Sequence, residues 1–193
     1  MLKQIPTPEM LRKLLRYEPI TGLLFWRERG VEWFKDTPKR TAEHTCNQWN
    51  SKWAGREAFA CVTIEGRLRG GLFGYNYLAH RVIWAMETGE WPKDQIDHED
   101  GDPVNNRFKN LRDVTHNTNQ KNMRLRDDNT SSYCGVSMRR DTGKWRAFIA
   151  IDGKHTSLGS FKCITAAAVA RKIADVKHDY YINHGRRTPI NPT

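Results

Sequence analysis

A chain of 193 residues, 38% hydrophobic and 28% charged, is long enough for one large or two small folded domains. That composition excludes disordered and fibrous classes. With 32 Lys and Arg against 22 Asp and Glu the net charge is +10, the sign a phosphate backbone rewards by releasing counterions. The excess is uneven: 19 basic against 16 acidic side chains in residues 1–123, and 13 against 6 in residues 124–193. The C-terminal third is therefore the stronger electrostatic docking module, while the carboxylates Asp94, Asp97, Glu99, Asp100 and Asp102 suggest a local task such as metal binding.

In chain order, Thr7 caps a short helix from Pro8 to Tyr17, with Met10, Leu11, Leu14 and Leu15 on one face. Gly22 precedes an apolar strand, Leu23–Trp26. Residues 27–54 are polar and irregular, and their aromatics Trp33, Phe34, Trp49 and Trp53 show no clear period. Alternation returns at Glu57–Ile64, and Gly66 turns the chain toward a strand near Leu72–Tyr75. The spacing of Leu78, Val82, Ile83 and Met86 predicts an amphipathic helix over Tyr77–Gly89, broken by Trp91-Pro92.

Gln95–His98 reads as one strand of a hairpin. The segment Glu99–Asn106 is dense in turn formers, and Asn105, Asn106 and Asp102 are expected to serve that turn. Asn110–Val114 returns, and Thr115 caps a helix to about Arg124, with Asn122 expected on its exposed side. Residues 125–132 form a polar linker. Beyond it, Gly135–Arg139, Lys144–Ile151 and His155–Leu158 read as strands, joined by turns at Asp141–Gly143 and Asp152-Gly153. Thr165 caps a last helix to about Tyr181. Ala166, Ala167, Ala170 and Ala174 would let it lie close to a sheet, with Val169, Ile173 and Val176 in the core.

The cysteines Cys46, Cys61, Cys134 and Cys163 form no C-x-x-C pair, so no structural zinc and no disulfide framework is expected. No stretch approaches the roughly 20 apolar residues of a membrane span, and Met1–Pro6 has no signal-peptide core. The expected location is a reducing cytoplasm.

Phosphodiester hydrolysis needs an activated water, charge stabilisation on the phosphate and help for the leaving oxygen. Magnesium keeps several waters and accepts a carboxylate plus an amide carbonyl. Asp97 offers the carboxylate, His98 a base that titrates near neutrality, and Asn119 a carbonyl oxygen. Neighbouring strand residues point to opposite faces, so Asp97 and His98 share a site only if the strand ends or twists there. Asn110 can help fix the loop and the His98 ring. His116 is a rival to Asn119, but it falls in the first turn of its helix. His80 reads as a packed or capping histidine, and Arg107 and Arg112 as solvated surface with phosphate contact as the alternative.

The run Ile96-Asp97-His98, Asn105-Asn106-Arg107, Asn110-Leu111-Arg112, Thr115 and Asn119, preceded by His80-Arg81 and Gly89–Pro92, resembles HNH endonucleases of phage and intron homing type. The resemblance implies an α+β chain with a ββα-metal nuclease core and an N-terminal strand and helix extension. It implies that Asp97 and Asn119 hold one divalent metal, Mg2+ or alternatively Mn2+, that His98 is the general base and that Asn110 orients it. Asn119 stands where the family name expects its last His, as in intron-type members.

Tyr133–Val136, Arg139-Arg140, Gly143–Ala147, Leu158–Phe161 and Ala166–Ala168 resemble the plant ethylene-response-factor (Apetala-type) DNA-binding domain, found also fused to phage HNH nucleases. This implies a three-stranded antiparallel sheet packed on one helix, with the sheet in the major groove. Arg139, Trp145 and Arg146 fall on base-contacting positions, core packing being the equal alternative for Trp145. Arg140, Lys144 and Lys154 are expected on the phosphate backbone. Cys134 and Ser137 stand where plant members carry arginines, so their target sequence does not transfer.

The expected domains are residues 1–124, with a nuclease core over 77–124, the linker, residues 133–185 and a tail at 186–193. The expected activity is metal-dependent hydrolysis of double-stranded DNA by a homing endonuclease. One site per chain means nicking, or double-strand cutting by a homodimer. A non-catalytic regulatory DNA-binding protein is the alternative; the joint presence of Asp97, His98, Asn110 and Asn119 weighs against it.

Overall fold

Thr7 Oγ1 accepts the Met10 backbone N–H at 3.3 Å and Pro8 occupies the first turn, so helix α1 (Pro8–Leu14) starts where the capping residues predict. It stops three residues early. Leu11, Leu14 and Leu15 are all fully buried, and Leu15 satisfies this by becoming extended, opening strand β1 (Leu15–Glu18). A two-turn helix is marginal by itself, and strand pairing with β2 (Leu23–Trp26), from Leu15↔Trp26 to Glu18↔Leu23, outweighs further helix.

The computed structural model describes residues 5–182 and 184–187; of the expected tail, residues 188–193 lie outside it. The chain forms two units, Met1–His98 with Pro103–Leu111, and Glu99–Asp102 with Arg112–Thr193. In the first, residues 27–54 depart from the irregular reading: Ala42–Trp53 form helix α2, whose N-cap Thr41 Oγ1 accepts the His44 N–H at 3.1 Å. Cys46, Trp49 and Trp53 are spaced as one helical stripe, hidden in the sequence by the polar residues around them. Strand β3 (Glu57–Ala58) extends the β1–β2 sheet. Strands β4 (Cys61–Val62), β5 (Leu68–Leu72) and β6 (Tyr75–Leu78) form a second antiparallel sheet.

Helix α3 (Ala79–Thr88) begins two residues later than predicted and ends at Gly89, which takes the left-handed conformation (φ 83°) of a C-cap. Its buried face, including Val82, Ile83, Ala85 and Met86, joins Leu11, Leu14, Leu15, Leu24, Leu72, Ile96 and Leu111 in one core. Strand β7 (Gln95–His98) pairs with β8 (Leu111–Val114) in a two-stranded sheet.

In the second unit, helix α4 is confined to His116–Gln120, with Thr115 Oγ1 accepting the Thr118 N–H at 3.3 Å. The chain then leaves helical geometry because its backbone finds other partners. Tyr181 N–H donates to Lys121 O, Gly185 N–H to Met123 O and Leu125 N–H to Arg186 O, at 2.9–3.2 Å. Asn122, expected on an exposed face, is consequently buried at 4% exposure. Leu125 and Ser131, inside the expected linker, are buried too.

Strands β9 (Val136–Met138), β10 (Trp145–Ile151) and β11 (Lys154–Phe161) form an antiparallel sheet in the order β11-β10-β9. The Asp152-Gly153 turn has positive φ at both residues (48° and 78°), as a two-residue hairpin requires. Helix α5 (Ile164–Lys177) covers this sheet and is shorter than the Thr165–Tyr181 expectation. Its alanines do lie close: Ala167 and Ala174 are buried. The assignment of Val169, Ile173 and Val176 to the core is overturned, since they are 53%, 64% and 74% exposed.

A buried ion pair occupies the inward face instead. Arg171 Nε donates to Asp175 Oδ1 at 2.7 Å and its Nη1 donates to the Phe148 carbonyl at 2.9 Å. A buried charge needs such partners, and their geometry sets which face of α5 turns inward. Gly135 (φ 67°) permits it, because a Cβ there would collide with the Arg171 guanidinium and the Phe148 carbonyl. Five α-helices and several small sheets among the described residues make the chain a mixed α and β protein.

Candidate active site

Asp97 and His98 are the last two residues of β7, and both are buried, at 7% and 5% exposure. The strand ends at His98 and the chain turns at Glu99-Asp100. His98 Nε2 donates to Asn106 Oδ1 at 2.9 Å. An amide oxygen only accepts, so this bond puts a ring proton on Nε2.

Asn106 is 1% exposed, held by a loop tied to neighbouring elements of the first unit. Asn110 Nδ2 donates to Asn105 O at 2.8 Å. Tyr17 of β1 receives the Phe108 N–H on its hydroxyl at 2.8 Å and donates to Asn106 O at 3.4 Å. Arg107 Nε donates to Ile20 O at 2.6 Å and its Nη1 to Asn105 Oδ1 at 3.0 Å. Arg107 is thus a strut of the loop, not the solvated side chain expected. Gly22 (φ 78°) lets the β1–β2 turn approach: a Cβ would sit 2.7 Å from Arg107 N and 2.8 Å from Asn106 C.

Asn106 was expected to serve only the turn; its contact with the His98 ring makes it a candidate site residue that sequence reading missed. Its signal was a second Asn beside a turn-forming Asn, which nothing local distinguishes; only the fold brings it to the ring eight residues upstream. Asn110 braces the loop that carries Asn106.

His80 of α3 is packed, as expected. It is 2% exposed, with its ring edge-on to His98 at 5.2 Å. Burial first, then the nearness of His98, Arg67 and Arg81, pushes its pKa down to about 3. It is therefore neutral at physiological pH and places no positive charge beside His98.

In the second unit, Asn119 lies half-buried on α4, while His116 on the same short helix is exposed, its Nε2 3.4 Å from Gln120 Nε2. Arg112 reaches Glu99 at 3.7 Å and stacks over the Tyr181 ring at 4.1 Å, so it too has a structural task. Among the described residues no group of three or more His, Cys, Asp or Glu gathers to hold a metal. The set expected here differs in kind: one carboxylate and one amide oxygen, hard oxygen donors that suit Mg2+ or Mn2+.

On the C-terminal sheet, Trp145 packs against Val136, Ala147 and Ala167 on the α5 side, the core alternative of the two readings. Arg146, next along β10, is exposed, and its Nε donates to Ser137 Oγ at 2.8 Å. Arg139 is joined to Asp141 at 2.6 Å, whose guanidinium hydrogen bond holds the exposed carboxyl below its ordinary pKa. Arg140, Lys144 and Lys154 are exposed. No described helix is long and apolar enough to cross a membrane.

The stretch from Tyr77 on β6 to Lys121, which carries Asp97, His98, Asn106, Asn110 and Asn119, matches the HNH endonuclease family model over residues 77–121. The chain thus contains an HNH endonuclease domain. It belongs to one family with Protein 3.8 of Escherichia phage T7, to which it is 34% identical over 82 residues, 42% of this chain and 68% of the relative. No solved structure matches the chain.

Proposed function

We propose that this protein is a metal-dependent endonuclease that hydrolyses phosphodiester bonds of double-stranded DNA. The observation that carries the reading is the buried Asp97-His98 pair, with the ring of His98 held by Asn106 at 2.9 Å inside an HNH domain. His98 takes a proton from the attacking water while Asn106 anchors Nε2 of its ring, and Asn110 keeps the loop that carries Asn106 in place. Asp97 and Asn119 are the residues to hold one divalent cation, Mg2+ or Mn2+; when bound, it supplies charge stabilisation to the phosphate and leaving oxygen.

The second unit is proposed to be the address module. Its sheet-on-helix arrangement and basic excess support the Apetala-type reading. Arg146, Arg139, Arg140, Lys144 and Lys154 are its DNA-facing candidates, with Trp145 supporting the fold from beneath. The phage relative and the pairing of cutting and addressing modules support a phage homing endonuclease acting in the host cytoplasm. With one site per chain it acts as a nickase, or as a homodimer for double-strand cuts.

The test is conversion of supercoiled plasmid in Mg2+, with EDTA and with His98→Ala as comparisons. Nicked or linear product in Mg2+ alone is expected. Supercoiled DNA surviving every metal condition sinks the nuclease reading, and full activity of His98→Ala sinks the base assignment.

A further inference from the structure

Trp26, Trp33, Trp49, Trp53 and Phe73 have no place in the candidate active site described above. Two depressions of the first unit share Trp26 as a wall. One, about 780 Å³, is lined by Arg12, Lys13, Arg16 and Arg27 together with Trp33. Glu28 and Glu32 line it as well, so cations outnumber carboxylates two to one. The other, about 220 Å³, is lined by Trp26, Arg29, Trp49, Trp53 and Phe73. The Arg29 guanidinium lies 3.8 Å over Trp49 and 5.2 Å from Trp26. Its backbone is clamped to α2 by Asn50, whose Oδ1 accepts the Arg29 N–H at 3.0 Å and whose Nδ2 donates to the Arg29 carbonyl at 2.9 Å. Trp26, Arg29 and Trp49 therefore form a fixed stack, and Trp53 and Phe73 stand at its edge, 39% and 47% exposed.

Phe73 sits where local preference argues against it. It occupies the first position of the two-residue turn between β5 and β6, Leu72 pairing with Tyr75, with φ 52° at Phe73 and 80° at Gly74. Such turns favour Asn, Asp or Gly there, because a side chain is strained at positive φ. Phe73 accepts the strain and leaves half its ring in water, with its packed side on Trp33 at 6.1 Å. A strained, exposed aromatic beside a cationic groove points to a ligand for its face.

We propose that this surface binds a single strand of DNA, with Arg12, Lys13, Arg16 and Arg27 on phosphates and unpaired bases stacked on Phe73 and Trp53. Cationic grooves flanked by aromatic rings hold single strands because every base has a π-face. A duplex hides those faces within its own stack, so exposed rings give it nothing to meet. The proposal extends the nuclease reading by naming how a strand opened near the cut is held, but its test involves no cleavage.

The test is fluorescence anisotropy of the full chain in EDTA with labelled dT15 and with a 15-base-pair duplex. Wild type is expected to bind dT15 with salt-dependent affinity. Phe73→Asn combined with Trp53→Ala is expected to weaken dT15 binding by at least about 10-fold and change duplex affinity less than 2-fold. Phe73→Asn alone should raise the melting temperature, since Asn suits the turn, which separates lost binding from lost folding. Lys13→Ala with Arg16→Ala should lower the slope of log affinity against log salt by roughly 1.4, at about 0.7 per single-strand phosphate. Wild type without affinity for dT15, an unchanged double variant, or an equal loss for duplex overturns the proposal. A chain that fails to cut plasmid but shows this pattern refutes the nuclease reading and leaves this one standing.

Discussion

At the scale of residues, the candidate site turns on one hydrogen bond. His98 needs a defined tautomer, and Asn106 fixes it through a side chain that is 1% exposed. Asn106→Ala is expected to lower kcat by about 10–100-fold, the usual cost of losing a group that orients an active side chain, with KM for DNA little changed. Asn106→Asp, which keeps an accepting oxygen, should retain more activity than Ala; equal loss in both, or a change confined to KM, would remove the positioning role. Gly22 tests the same contact from behind. Gly22→Ala forces a Cβ against the Asn106-Arg107 backbone at positive φ, and should cost on the order of 1–3 kcal/mol of stability while also lowering activity. Unaltered denaturation and cleavage would show that the turn relaxes freely. The sequence made Asp97 and His98 legible as a pair but not the role of Asn106, because a residue that acts across a loop of seven leaves no local pattern.

At the scale of elements, capping and turn residues were readable and boundaries set by tertiary pairing were not. Thr7 and Thr115 start helices, and Gly89 stops one, by bonds made within a few residues; Thr41 caps a helix that the sequence reading left irregular, and α5 starts after Cys163, not at the expected cap Thr165. Helix α1 yields at Leu15 to a strand partner eleven residues on, and α4 yields after Gln120 to residues near 181–186. Helix α5 is the sharpest case: three exposed aliphatics pointed to one face, whereas the Arg171–Asp175 pair and the Phe148 carbonyl selected another. Asp175→Ala should therefore destabilise the second unit by about 3–5 kcal/mol, the cost of stranding a buried charge, whereas Val176→Ala should shift thermal unfolding hardly at all. The reverse order of effects would restore the aliphatic face to the core. A truncation at residue 125 would strip the partners of Lys121–Leu125, so the addressing role is better tested by neutralising Arg140, Lys144 and Lys154 together. If these lie on phosphates, the slope of log affinity for duplex against log salt should fall by about 2.7; an unchanged slope would move the docking face elsewhere.

At the scale of the whole molecule, two neutral histidines, His80 buried and His184 half-buried, tie stability to pH. His80 has its pKa held down to about 3 and His184 to about 4, in both cases chiefly by burial. Unfolded, each returns to about 6.5, so between these values the unfolded chain binds more protons than the folded one. Their contribution is full above about pH 6.5 and is lost as the pH falls toward 3–4. Urea denaturation midpoints should decline between pH 7 and pH 4.5, less steeply in His80→Gln; an identical decline would place the acid sensitivity in other groups. What the sequence determined by itself was whatever rests on local chemistry: net charge, helix caps, hairpin turns, and the residue types gathered around Asp97-His98. Tertiary structure alone decided what depends on distant partners: that Asn106 holds the His98 ring, that α2 orders the aromatics around Arg29, and that an ion pair turns the face of α5. Such contacts join residues far apart in the chain, and the free energy that selects them exists only once both ends are folded.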